Sequence, residues 1–250
     1  MKLYEAEVFG RERFGEHILI RYRWEGEPPK PGQFVMARAT IQDLNPFLSR
    51  PLFAHDYDKG VASLLFKVRG AGTALLAQES AGILVTAPGG RGYTFEESDR
   101  PVALVGGGVW VSPLKLLSRR LTLSGVAHDV YLEVPATAPK AYAAWISENY
   151  PHAILVETNG SQQASCPILD CLGDLARYSA VYASGPTEML DAVRIASAGK
   201  VSAQLALRER MACANGSCFG CAIPVWRFGA RTYARACTEG PVFPAETLAW

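Results

Sequence analysis

A chain that carries cysteines at C-x4-C-x2-C has to curl that stretch around something. Cys213, Cys218 and Cys221 have this spacing in the run RMACANGSCFGCAIPV, and Cys237 follows in ARACTEGPVF. Three thiolates so spaced, with a fourth from further along the chain, can wrap a [2Fe–2S] cluster. Ala214-Asn215-Gly216-Ser217 is small and turn-prone, so the backbone can curl close to inorganic sulfides and aim N–H groups at them. Gly220 does the same beside Cys221. The expected metal ligands are therefore Cys213, Cys218, Cys221 and Cys237. Structural zinc is the rival, but zinc ribbons usually pair two short C-x2-4-C knuckles and here Cys237 stands alone. A disulfide framework does not suit six cysteines in 250 residues behind an N-terminus, MKLYEAEVFG, with no apolar leader core. Cys166 and Cys171 lack glycine-rich surroundings and read as ordinary half-buried cysteines.

With 49% hydrophobic and 20% charged residues, the chain can bury substantial cores. A formal net charge of +1 and the absence of long basic runs give no electrostatic case for nucleic acid. No apolar run approaches a membrane span, so a soluble cytoplasmic protein is the expectation.

Up to residue 98 the sequence alternates apolar and polar residues in short segments: Leu3–Phe9, His17–Trp24, Gln33–Thr40, Val61–Arg69 and Ile83–Ala87. Glycine and proline punctuate them, which predicts a small antiparallel barrel with one short helix over Thr73–Glu79. From residue 99 to 207 the pattern changes. Strands at Val102–Val105, Val130–Val134, Ala153–Glu157, Val181–Ala183 and Val201–Leu207 alternate with helices at Leu114–Leu123, Lys140–Tyr150, Ile168–Tyr178 and Glu188–Ala198. That alternation predicts a doubly wound parallel α/β sheet whose ligand crevice lies outside the carboxyl ends of the strands. Three turns fall there: Gly106 to Pro113, Thr158 to Ser161, and Ser184-Gly185-Pro186. Residues 208–250 form a small cluster module.

A barrel, a parallel α/β unit and a cysteine cluster, in that order, resemble the ferredoxin-reductase-like flavoproteins. Over its whole length the chain is similar to the electron-transfer subunits of the two-subunit, NAD-linked dihydroorotate dehydrogenases. Arg50-Pro51-Leu52-Phe53 resembles that family's R-P-x-S flavin motif, and Gly70-Ala71-Gly72-Thr73 its G-x-G-T. Pro88 to Tyr93 resembles G-P-L-G-N-G-F, and Gly106 to Leu114 resembles G-G-G-x-G-x-A-P-L. The most specific match runs from Leu207 to Cys221 and from Cys237 to Phe243, with a last Trp250.

The resemblance implies FAD between barrel and α/β unit. Arg50 would neutralise pyrophosphate charge. Pro51, Leu52 and Phe53 would run beside the flavin ring, Gly72 and Thr73 would approach the phosphates, and Leu65, Phe66 and Lys67 would supply neighbouring backbone. Gly106, Gly107 and Gly108 would meet NAD. The flavin would link a two-electron nicotinamide donor to a one-electron cluster. Electrons would pass to or from a catalytic flavoprotein subunit that oxidises dihydroorotate in pyrimidine synthesis, within a heterotetramer. None of the four histidines is read as catalytic.

The chain departs from the family at three reacting positions. Phe53 replaces a serine near the flavin edge, Trp110 replaces a glycine of the nicotinamide loop, and Ser184 replaces a cysteine against the nicotinamide ring. Trp110 either packs as core or covers the crevice. Two alternatives therefore stay open. One is a subunit of a different redox complex, similar to ferredoxin–NADP reductase or sulfide dehydrogenase. The other is a scaffold or partner-binding subunit that no longer turns over nicotinamide.

Overall fold

The computed structural model describes residues 2–41, 44–78, 82–158 and 166–250. Its first part forms seven antiparallel strands: β1 (Tyr4–Ala6), β2 (Val8–Phe14), β3 (His17–Arg23), β4 (Phe34–Ala39), β5 (Arg50–Asp58), β6 (Val61–Lys67) and β7 (Ile83–Val85). They pair in the order β1-β7-β4-β5-β6-β3-β2. The two ends of that order are consecutive in the chain and joined by Glu7, whose carbonyl accepts the Arg23 N–H at 3.0 Å. A sheet whose edges meet in this way has to roll into a barrel. Ile18, Ile20, Val35, Ala37, Leu64 and Phe66 alternate along their strands and fill its interior.

The single strand expected over Leu3–Phe9 is in fact two. The chain breaks at Glu7 because β1 pairs with β7 and β2 pairs with β3, through an irregularity between Val8 and Gly10. The longest strand, β5, follows no apolar alternation: it opens on Arg50-Pro51 and its register shifts between Ala54 and Asp56. The short helix α1 (Ala71–Leu76) begins two residues earlier than expected, and Glu79, its expected end, lies outside the described residues.

The second part alternates β8 (Val102–Gly107), α2 (Ser112–Leu123), β9 (His128–Pro135), α3 (Lys140–Asn149), β10 (Ile154–Thr158), α4 (Pro167–Leu172), β11 (Ala180–Ser184), α5 (Thr187–Ser197) and β12 (Ser202–Ala206). The five strands are parallel, in the order β10-β9-β8-β11-β12. The order reverses at β8, so the switch point lies between the ends of β8 and β11. The helix expected over Ile168–Tyr178 stops at Leu172. Gly173 takes φ 65°, and Asp174 caps a separate 3-10 turn, Leu175–Arg177, by accepting the Ala176 N–H. In the turn expected at Thr158 to Ser161, Asn159, Gly160 and Ser161 lie outside the described residues.

The chain ends in a hairpin of β13 (Ala222–Arg227) and β14 (Ala230–Arg235) and a short strand β15 (Val242–Pro244). β15 pairs antiparallel with β12, so the expected parallel sheet carries an antiparallel edge supplied by the cysteine-bearing segment. The Pro88–Tyr93 turn receives the same segment: the Arg91 N–H donates to the Gly240 carbonyl, and a Cβ at Gly90 would meet that oxygen. Tyr93 Oη donates to the Ala183 carbonyl at 2.9 Å. This motif is a junction between the barrel, the α/β sheet and the chain end.

Barrel and α/β sheet meet along an aromatic seam. His17 stacks on Tyr142, ring centroids 3.8 Å apart and 7° from parallel, and Tyr142 stacks on Trp145. Phe14 and His55 close on Trp145 from the barrel side. Arg119 of α2 grips Asp56 of β5 through two hydrogen bonds of 2.8 Å.

Candidate functional site

Where β5, β6 and the turn after β8 face each other lies a cleft of about 390 Å3, a size that suits a cofactor. The structure brings Arg50, Pro51, Leu52, Phe53, Leu65, Phe66, Lys67 and Thr73 to its wall. Gly72 lies beneath it, because a Cβ there would come within 2.1 Å of the Arg50 Cζ. The glycine is what lets this guanidinium lie flat against the start of α1. Thr73 holds the turn in shape: its Oγ1 accepts the N–H groups of Arg69 and Gly70 at 2.9 and 3.1 Å.

Arg50 is half-buried, its Nη1 has no hydrogen-bond partner among the described residues, and burial lowers its pKa. A buried guanidinium with a spare donor is an incomplete arrangement that an anionic oxygen completes. α1 spans only six residues, so the attraction for an anion rests on Arg50 more than on a helix dipole.

The cleft also contains residues to which the sequence motifs assign no place in it. Arg69 comes from the end of β6, and Arg208, Glu209, Arg210 and Met211 come from the linker after β12. Five basic side chains, Arg50, Lys67, Arg69, Arg208 and Arg210, therefore face one carboxyl, Glu209. Burial, then the charges of Arg69 and Arg210, lowers the pKa of Arg208, and burial raises that of Glu209. Lys67 is already paired with Glu16. A cleft of this composition favours a ligand with several negative charges and an apolar body.

Gly106, Gly107 and Gly108 do not line the cleft. Gly106 and Gly107 are buried within β8, where a Cβ on Gly106 would come within 2.7 Å of Leu114 Cδ1. Their visible role is to let α2 and β9 close on β8, while Gly108, at φ 54°, turns the chain into a 3-10 turn over Gly108–Val111. From that turn Val109 and Trp110 reach the cleft wall. Trp110 is half-buried and lies outside the hydrophobic cores, so the reading of its ring as core is wrong. Ser184 is fully buried at the end of β11, and its Oγ has no partner among the described residues.

The cysteine loop begins just past Met211. Ala214, Gly216 and Phe219 take positive φ of 53°, 85° and 57°, which coils the loop on itself. The Cys213 thiol lies near that of Cys218, and the Cys237 thiol near those of Cys221 and Cys213. The Cys218 N–H points at the Cys213 Sγ and the Gly220 N–H at the Cys218 Sγ, both at 3.4 Å. The Asn215 and Cys218 N–H groups bring the Cys213 thiol down to about 6, whereas burial and the neighbouring Cys221 thiol push Cys237 up to about 11. Backbone donors around thiolate sulfur are what an iron–sulfur centre uses. Among the described residues, no three His, Cys, Asp or Glu side chains are gathered as a site for a single ion. Glu239 braces the loop. It accepts the Arg235 N–H at 2.9 Å and pairs with Arg227 at 2.7 Å, contacts that hold its carboxyl down to about 2. Cys166 is half-buried at the start of α4, as expected, whereas Cys171, within α4, is exposed.

Comparison with known proteins agrees with this geometry. The family description "Iron-sulfur cluster binding domain of dihydroorotate dehydrogenase B" matches residues 208–249. The chain is 30% identical over 249 residues to the dihydroorotate dehydrogenase B (NAD(+)) electron transfer subunit of Caldanaerobacter subterraneus, covering 98% of this chain and 97% of that protein. It is 34% identical to the subunit of the same name from Shouchella clausii, over 88% of each. Among solved structures it is similar to an NADH-dependent reduced ferredoxin-NADP oxidoreductase, with TM-score 0.76, 24% identity and coverage of 98% of this chain and 90% of that one. It is also similar to phthalate dioxygenase reductase, with TM-score 0.62, 15% identity and coverage of 94% and 77%. At those identities the two structures speak for the fold alone.

Proposed function

Since this chain belongs to the family of dihydroorotate dehydrogenase B electron transfer subunits, we propose that it carries electrons between an FAD in the cleft and a [2Fe–2S] cluster in the cysteine loop, to or from a catalytic flavoprotein subunit that oxidises dihydroorotate. The observation that carries this reading is the meeting of cleft and cysteine loop: Arg210 and Met211 line the first and lead directly into Cys213 of the second.

Arg50 holds the pyrophosphate through its free Nη1, with Gly72 leaving room for the guanidinium. Pro51, Leu52, Phe53, Leu65 and Phe66 give the flavin an apolar wall, and Lys67 and Arg69 add positive charge to the cleft. Cys213, Cys218, Cys221 and Cys237 hold the irons. When bound, the flavin exchanges electrons in pairs or singly and the cluster exchanges them singly. The protein's own part is to fix the two close together, to exclude water from the apolar wall and to donate N–H groups to sulfur. Among the described residues no helix is long and apolar enough to cross a membrane. Assembly with the catalytic subunit as a heterotetramer in the cytoplasm belongs to the same proposal.

The test is reconstitution. Mixed without oxygen with the catalytic subunit of a dihydroorotate dehydrogenase B and with dihydroorotate, the protein should show bleaching of its own flavin and cluster bands. No bleaching with dihydroorotate, in a protein that dithionite does reduce, removes the proposed partner.

A further inference from the structure

Trp110 extends from the turn after β8, beside the switch point where a dinucleotide lies across a sheet of this kind. Hydride transfer needs the donor carbon and the flavin ring within about 3–3.5 Å. A nicotinamide arriving over this turn therefore has to lay its ring in the cleft, against the wall of Phe53, Leu65 and Phe66. Trp110 lines that same cleft. Arg208, from the linker leading to the cysteine loop, caps the indole face with its guanidinium 5.0 Å from the ring centroid. The indole is half-buried and Arg208 is exposed, so the contact between them rests on the guanidinium lying over the ring. The indole face that the guanidinium covers is closed to a second ring, and the bulk of the indole itself occupies the cleft wall. At the neighbouring strand end Ser184 is fully buried, so its hydroxyl is not exposed to meet a nicotinamide.

We infer that Trp110 and Arg208 together bar pyridine nucleotides from the flavin, so that electrons enter and leave this subunit only through redox proteins. NADH would give two electrons and a proton as one hydride, in ring contact. A partner iron–sulfur or flavin centre gives electrons one at a time across a gap, the proton coming from solvent, and needs no such contact. Because Arg208 sits on the linker to Cys213, the closed pair also ties the cleft to the cluster loop.

The inference rests on the FAD reading, and its test separates the two. The holoprotein is first assayed for flavin by its absorption spectrum, and absence of flavin at this stage refutes the cofactor reading rather than the barrier. Flavin-loaded protein is then mixed without oxygen, in a stopped-flow instrument, with NADH, NADPH or dithionite. Dithionite should bleach the flavin band while both nucleotides leave it unchanged on the same timescale. Trp110→Ala should raise the rate with NADH at least about tenfold, and Arg208→Ala, which uncovers the indole, should raise it by a smaller factor. Rapid bleaching of the wild-type protein by NADH or NADPH overturns the inference. So does an unchanged rate in flavin-loaded Trp110→Ala; if that variant loses its flavin, an unchanged rate in Arg208→Ala decides the matter.

Discussion

Acid should loosen the seam between barrel and α/β sheet through two histidines. His17 is stacked on Tyr142, and His55 is buried with its Nδ1 3.0 Å from the Ser112 carbonyl. Burial brings both down from 6.5 to about 4, helped at His17 by the charge of Lys67 and opposed at His55 by the Ser112 carbonyl. The folded state thus prefers neutral rings, while the unfolded chain takes up protons near the ordinary histidine value. Stability from each ring is fully present above about pH 6.5 and is lost as pH falls from there towards 4. Between pH 7 and pH 5 the loss amounts to roughly 2 kcal/mol per ring, from about 1.4 kcal/mol per pKa unit. For a chain of this length the two rings together lower Tm by on the order of 10 °C. The assay is chemical denaturation at several pH values, comparing wild type with the double variant His17→Gln/His55→Gln. The variant loses some packing and starts less stable at pH 7, but its stability should fall less steeply towards pH 5, by about 4 kcal/mol in total. Acid effects on the cluster are common to both proteins and cancel in the comparison. Equal slopes in the two proteins would refute the argument.

Gly72→Ala should expel the Arg50 guanidinium from its seat and lower FAD retention as strongly as Arg50→Ala, measured as flavin per chain after gel filtration. Phe53→Ser should retain flavin and shift its reduction potential, since the ring edge tunes the flavin more than it binds it; spectroelectrochemistry reads the shift. Alanine at Cys213, Cys218, Cys221 or Cys237 should bleach the cluster spectrum, while alanine at Cys166 or Cys171 should leave it intact. Glu239→Gln should keep the cluster at pH 7 but release it faster on warming, because the brace from Arg235 and Arg227 is weakened.

What could be read in advance was local in the chain. The cysteine loop shows in the sequence because three of its ligands and their turn lie within nine residues, Cys213 to Cys221. The parallel strands show because short, largely apolar runs, Val102–Val105 the clearest, alternate with helical stretches. β5 does not read as a strand in the sequence, although its first four residues carry the flavin motif, because Pro51, His55 and Asp56 break the alternation that marks β3 and β6. Arg208, Arg210 and Met211 reach the cleft only because β12 pairs with the distant β15 and so aims the linker there, and a three-residue strand leaves no periodic trace. The glycines after β8 suggested a nucleotide contact. Gly106 and Gly107 also let α2 and β9 close on β8, and the same sequence pattern is written by either requirement. The seam histidines are single residues on separate strands, and nothing local shows that both meet the aromatic face of α3.

If one chain holds a flavin and a two-iron cluster side by side, both must be found in the same purified protein. Protein purified without oxygen is to be analysed for flavin, iron, zinc and acid-labile sulfide together with its visible spectrum. About one FAD, two irons and two sulfides per chain are expected, with flavin bands overlying cluster shoulders. One zinc per chain with no labile sulfide, or a cluster with no flavin, would contradict that arrangement.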